Sequence, residues 1–163
     1  MKTLIGFLLS IAKVVTTTLF ISIFGLYVIQ IVLRYIVGTT WLWAPDAIRL
    51  MFVWAVFLGA SVLYAANGHL AVDALVTRFS EAHQRLIAVF VELIALGFFA
   101  VVFFRGIEIA QKRMRIPFDT WDVPTGYAYA AVSVGAVLMF LIGIDRIADH
   151  IRALRKGVTP HVQ

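Results

Sequence analysis

Cysteine is absent from the chain. That excludes disulfides, thiolate nucleophiles and cysteine-ligated zinc or iron–sulfur centres, and it leaves redox compartment unread. Charge is scarce too: Asp, Glu, Lys and Arg make up 14% of the 163 residues, against about 25% in an ordinary soluble domain. The four histidines, His69, His83, His150 and His161, all miss the interior of the long apolar runs. A membrane haem wants axial histidines at matched depth on facing helices, so a cytochrome-like subunit is disfavoured. No zinc-ligand spacing, phosphate-cradling glycine loop, nucleic-acid module or defensible Ser/His/Asp grouping occurs. No internal repeat is visible, so an inverted-repeat transporter built from this chain alone is not indicated. The expectation is a protein that is not an enzyme, with no catalytic residues, no metal and no cofactor.

What the chain has instead is apolar length. Hydrophobic residues are 62% of the total, and the mean hydropathy is +0.95. That excess is too large for a water-soluble core of this size. It implies an all-α integral membrane protein, a single membrane domain over residues 1–163 with no separate soluble domain. The formal net charge of +5 sits between apolar runs. Orientation in the bilayer and contact with anionic lipid explain it better than nucleic acid.

A hydrocarbon core about 30 Å thick needs about 20 apolar residues as helix. Residues 14–33 supply a first crossing without charge. The apolar pattern starts earlier, at Leu4, and only Lys13 breaks it. Lys2 and the run to Leu9, with Ser10-Ile11-Ala12, imitate a signal peptide, but the renewed apolar run favours an uncleaved segment. A helix from Leu4 to Leu33 would be roughly 45 Å long at about 1.5 Å per residue. It must tilt or begin as an interfacial turn, with Lys13 snorkelling.

Gly38, Thr39 and Thr40 break the first helix. Trp41 and Trp43 follow, at the depth that amphipathic rings prefer. Pro45 suits the first turn of a second crossing over 47–66, in which Arg49 is the sole charge. Asn67-Gly68 tolerates the left-handed conformation of a helix end. In 69–81, Val72, Leu75, Val76 and Phe79 share one side, opposite Asp73, Thr77 and Ser80. The run is too short to span, so it reads as a short amphipathic helix in the interface, between the second and third crossings. The third crossing, 86–104, holds one charge, Glu92. Arg105 and Glu108 lead to a basic cluster of Lys112, Arg113 and Arg115. A loop from Pro117 to Pro124 then opens the fourth crossing, 125–144. Four crossings put both termini on one side. Placing them in the cytoplasm assigns eight basic residues inside (Lys2, Lys13, Arg78, Arg85, Arg146, Arg152, Arg155 and Lys156) and six outside (Arg34, Arg49, Arg105, Lys112, Arg113 and Arg115). That is a weak bias in the expected direction, opposed by the 112–115 cluster.

An ionisable group inside a membrane helix is costly and therefore a candidate for function. Glu92 is the clearest. One carboxylate lacks the several oxygens a cation site needs, so an acid bonded to a neighbouring helix or subunit is the favoured reading over a proton or cation site. Asp46 and Arg49 are three apart on one face of the second helix's first turn. Arg34 ends the first helix just across the loop. A pair with Asp46 would clamp the hairpin, and Asp46 also suits the positive end of the helix dipole. Anion binding by the two arginines is the functional alternative. Gly59-Ala60-Ser61, and Ala131 with Gly135, are small patches that let helices approach closely.

Arg34-Tyr35, Trp41, Asp46, Arg49, Phe52-Val53-Trp54, Phe57-Leu58-Gly59-Ala60 and Gly68-His69-Leu70-Ala71-Val72-Asp73 together resemble the small membrane subunit of TRAP transporters, the tripartite ATP-independent periplasmic family (DctQ-type). The length, the four-crossing layout and Val123-Pro124-Thr125-Gly126 fit as well. The resemblance implies a scaffold in the bacterial inner membrane. A larger subunit would move an organic acid, such as a dicarboxylate or a sialic acid, coupled to sodium, and a periplasmic binding protein would deliver it. The partners expected are then the large subunit in a one-to-one heterodimer, the binding protein and membrane lipids. Arg34, Trp41, Asp46, Arg49, Trp54 and Gly59 are the expected subunit contact. His69 and Asp73 would fix the turn into the interfacial helix, and Lys112, Arg113 and Arg115 would dock the binding protein. The competing reading is a small self-assembling channel or proton-coupled exporter using Glu92. A membrane anchor for a redox enzyme comes third.

Overall fold

The computed structural model describes residues 2–67 and 81–156. Four long helices account for nearly all of them. Helix α1 is Lys2–Val32, extended by a π-helical turn, Leu33–Val37. Helix α2 is Ala44–Asn67, α3 is Glu81–Arg113 and α4 is Gly126–Lys156. All four are long and apolar enough to cross a membrane, and the described residues form no named strand. The expected interfacial helix at 69–81, with His69 and Asp73, lies outside the described residues except for Glu81, which opens α3.

The helices run past the apolar windows that marked them in the sequence. Helix α1 does not pause at Lys13, so no interfacial turn precedes the crossing and the excess length remains as helix. Along it Ser10, Thr17 and Thr18 return their hydroxyl protons to the carbonyls of Gly6, Lys13 and Val14 at 2.9–3.0 Å. Polar groups on an exposed membrane helix need such partners, because lipid offers none. The helix stops at Gly38, whose φ of 73° is left-handed and whose N–H caps the Leu33 carbonyl. A side chain there would strain the backbone, so glycine ends the helix where the sequence changes from aliphatic to threonine.

The helices alternate in direction and pack in the order α1, α2, α4, α3. The inner pair makes the closest approach. A Cβ on Gly135 would lie 2.9 Å from Phe57 Cβ and 3.0 Å from the Phe57 carbonyl oxygen. Ala131 and Ala136 beside it are fully buried. Small side chains bring the backbones of α4 and α2 together, where dispersion between packed atoms rather than expulsion of water drives association. Helices α1 and α3 flank this centre. Helix α1 leaves Phe7, Phe20, Phe24, Tyr35 and Ile36 exposed, which in a bilayer means facing lipid or another protein.

Two ends result. One gathers the α1–α2 turn and the α3–α4 loop, and is called here the tryptophan end. The other gathers the N-terminus of α1 and the C-terminus of α4, and is called the terminal end.

Candidate functional site

The tryptophan end is built around Asp46, in the first turn of α2 and only 8% exposed. Its carboxylate accepts the backbone N–H of Thr120 at 2.9 Å, and its Oδ2 lies 2.6 Å from the Thr120 hydroxyl. That hydroxyl lies equally close to the Leu42 carbonyl, at 2.6 Å. An acid at a helix N-terminus is favoured by the dipole, and hydrogen bonds to an ionised group are about twice as strong as neutral ones. Asp46 therefore ties the α1–α2 hairpin to the α3–α4 loop, 74 residues along the chain. The loop is held in shape by paired bonds between Phe118 and Val123 and between Thr125 and Ile116, across the Pro117–Pro124 bridge.

Aromatic rings cover this junction. Trp41 stacks on Trp43 with centroids 5.7 Å apart, Trp43 meets Trp121 at 6.4 Å, and Trp121 meets Phe118 at 6.4 Å. Gln30 donates to the Trp41 carbonyl at 2.8 Å and pulls the turn back onto α1. Trp54, two turns deeper, donates its indole N–H to the Tyr127 carbonyl at 3.0 Å. Gly59 sits where α1 crosses, with a would-be Cβ 3.4 Å from Thr16.

The arginines are placed differently. Among the described residues neither Arg34 nor Arg49 pairs with Asp46, whereas Glu108 pairs with Arg105 at 2.9 Å and with Lys112 at 2.7 Å. Arg34 is exposed and lies 6.0 Å from the ring of Tyr35. Arg49 turns toward the α3–α4 loop and lines a small cavity with Arg113. Arg115 is exposed. The expected site residues thus separate. Asp46, Trp54 and Gly59 join the chain's own helices, whereas Arg34 and Trp41 face outward.

A second junction lies toward the terminal end, around Glu92, which is 3% exposed. Its Oε1 accepts the hydroxyl proton of Tyr64 from α2. Arg146 of α4 lies 4.8 Å over the Tyr64 ring and donates to the carbonyls of Tyr64 and Ala65 at 2.6 and 3.1 Å. Phe99 closes on the other side of Tyr64, edge to face at 5.2 Å. Gly143 completes the enclosure: a Cβ there would be 2.8 Å from Leu96, 3.2 Å from Glu92 Oε1 and 3.3 Å from the Tyr64 oxygen. Three helices meet on one acid. Tyr64, Gly143, Arg146 and Thr120 were not singled out as partners in the sequence, because their contacts bridge distant stretches and follow no local spacing.

The family model described as the DctQ component of the tripartite ATP-independent periplasmic transporters matches residues 23–153, which takes in both junctions. Over 123 residues, 75% of its length, the chain is 28% identical to a protein of Haemophilus influenzae (strain 86-028NP) named sialic acid TRAP transporter permease protein SiaT. It spans 20% of that protein. Over 145 residues, 89% of its length and 84% of the other's, it is 18% identical to a protein of Vibrio cholerae serotype O1 (strain ATCC 39315 / El Tor Inaba N16961) named sialic acid TRAP transporter small permease protein SiaQ.

Proposed function

From a chain that belongs to the DctQ family, the small membrane subunit of TRAP transporters, we propose a scaffold that holds a larger transport subunit steady while that subunit moves an organic acid of the sialic-acid or dicarboxylate class with sodium. The observation that carries the proposal is the enclosure of Glu92. The acid accepts the Tyr64 hydroxyl of α2, with Gly143 of α4 packed against it, and its role is to lock three helices. A wall of this kind resists deformation while a neighbour moves.

The exposed apolar face of α1, at the edge of the helix row, supplies a surface for the large subunit, with Arg34 and Trp41 at its outer end. Both termini lie in the cytoplasm in this reading, and the tryptophan end faces the periplasm. There Lys112, Arg113 and Arg115, all exposed, would meet an acidic patch of the binding protein; Lys112 is paired with Glu108 and Arg113 lies over Tyr129.

Affinity purification of the tagged chain from mild detergent, with its native operon co-expressed, tests the proposal. A much larger multi-spanning protein should be recovered in one-to-one ratio. A homo-oligomer free of any partner would refute it.

A further inference from the structure

We propose that the cavity between Arg49 and Arg113 binds the phosphodiester of an anionic phospholipid headgroup. The cavity has a volume of about 210 Å³ and lies where α2, the end of α3 and the start of α4 converge. Its charged lining is Arg49, Arg113 and Asp119. Two arginines and one aspartate, all three exposed at its rim, leave the lining with a net positive charge, and among the described residues neither arginine is in a salt bridge. Arg113 is steered into place by Tyr129, its guanidinium carbon 5.6 Å from the ring centroid.

A second cation over the same space is expensive unless an anion joins it. Like charges at a membrane interface repel, Asp46 is committed to Thr120, and Asp119 offsets only one of the two arginines that line the cavity. Planar guanidinium forks match phosphate oxygens in pairs. The first turn of α4 borders the same space through Thr125, Ala128 and Tyr129, and a long helix presents its positive end there.

The rest of the lining selects lipid over a free ion. Val53, Ile116, Phe118 and Ala128 make the remaining walls apolar, as suits an acyl chain descending from the headgroup. The depth agrees. Trp41, Trp43 and Trp121 cluster at this end, and tryptophan marks the headgroup level. The inference needs the chain to be in a bilayer and does not depend on the large subunit.

The test uses the full-length chain, purified in neutral detergent and delipidated. It is titrated with dioleoylphosphatidylglycerol, dioleoylphosphatidylcholine and inorganic phosphate. Bound lipid is read by native mass spectrometry and protection by thermal unfolding. Phosphatidylglycerol should bind several-fold more tightly than phosphatidylcholine. Arg49→Gln and Arg113→Gln should each weaken it roughly fivefold, the effect of one basic residue at an anionic surface. Arg49→Lys should lose less than Arg49→Gln, and Arg105→Gln, far from the cavity, should change nothing. Equal binding of the two lipids, or indifference to both glutamine variants, overturns the proposal. So does protection by inorganic phosphate alone, which assigns the cavity to a free anion. Should a variant fail to fold, a photo-crosslinkable phosphatidylglycerol on the unaltered chain decides. Labelling within 49–53 or 113–118 supports the site, and labelling confined to other segments refutes it.

Discussion

Asp46 and Glu92 are two acids with one architectural logic. Each is nearly sealed from the surroundings and each accepts hydrogen bonds from another helix or loop. Removing an acceptor strands its donors, which costs about 1–3 kcal/mol per buried group. Asp46→Ala should therefore destabilise the chain by about 2 kcal/mol in detergent unfolding. Thr120→Val should reproduce much of that loss, and the double variant should fall short of the sum, because both remove one interaction. An additive pair would show that the Asp46–Thr120 bonds contribute little. At this scale the sequence was legible in part. The dipole and the Pro45 helix start mark Asp46 as an N-terminal acid. Thr120 is a loop residue with no pattern, and only the fold brings it to Asp46. The hairpin clamp between Asp46 and an arginine, raised from spacing alone, does not form among the described residues. A backbone N–H and a hydroxyl satisfy the carboxylate without the cost of burying a guanidinium.

Helix against helix, glycine position decides what can change. Gly143 has Leu96, Glu92 and Tyr64 within 3.3 Å of a would-be Cβ, and Gly135 has Phe57 backbone at 3.0 Å. Gly97 on α3 has nothing within 4 Å. Gly143→Ala and Gly135→Ala should each destabilise by about 1–3 kcal/mol through overpacking. Gly97→Ala should be neutral or stabilise by about 0.5–1 kcal/mol, since alanine loses less backbone entropy in a helix. Thermal unfolding of the three variants checks the order, and a Gly97→Ala chain less stable than Gly143→Ala would contradict the packing described. Helix identity was plain in the sequence because hydropathy over about 20 residues is set by bilayer thickness. Helix length was not. Helix α3 runs to Arg113, beyond the apolar window at 104, because a helix can continue into the headgroups after its apolar run ends; it passes Gly106 without a break. The small patch at Ala131 and Gly135 was readable as a packing surface, but its partner Phe57 was not.

At the scale of the molecule, the described residues form a row of four helices pinned near both ends, by Asp46 toward the tryptophans and by Glu92 toward the termini. Such a row can brace a moving partner. On the binding-protein side, Lys112→Glu with Arg115→Glu should slow association of the periplasmic binding protein and flatten its salt dependence, as removal of steering charge does. Surface plasmon resonance at two ionic strengths would read this, and unchanged kinetics would move the docking surface elsewhere. Subunit contacts of this kind have no period in the sequence. They are expected here from the family resemblance alone, and the match over residues 23–153 shows the family.

The most direct measurement is solute and ion flux in proteoliposomes holding this chain alone, the large subunit alone, or both, with the binding protein supplied outside. No flux is expected from this chain alone, and sodium-driven uptake of an organic acid is expected when both subunits are present, with Glu92→Gln retaining most of that uptake wherever the complex still assembles. Flux of protons or cations through this chain alone, abolished by Glu92→Gln, would contradict it and make Glu92 the site of transport.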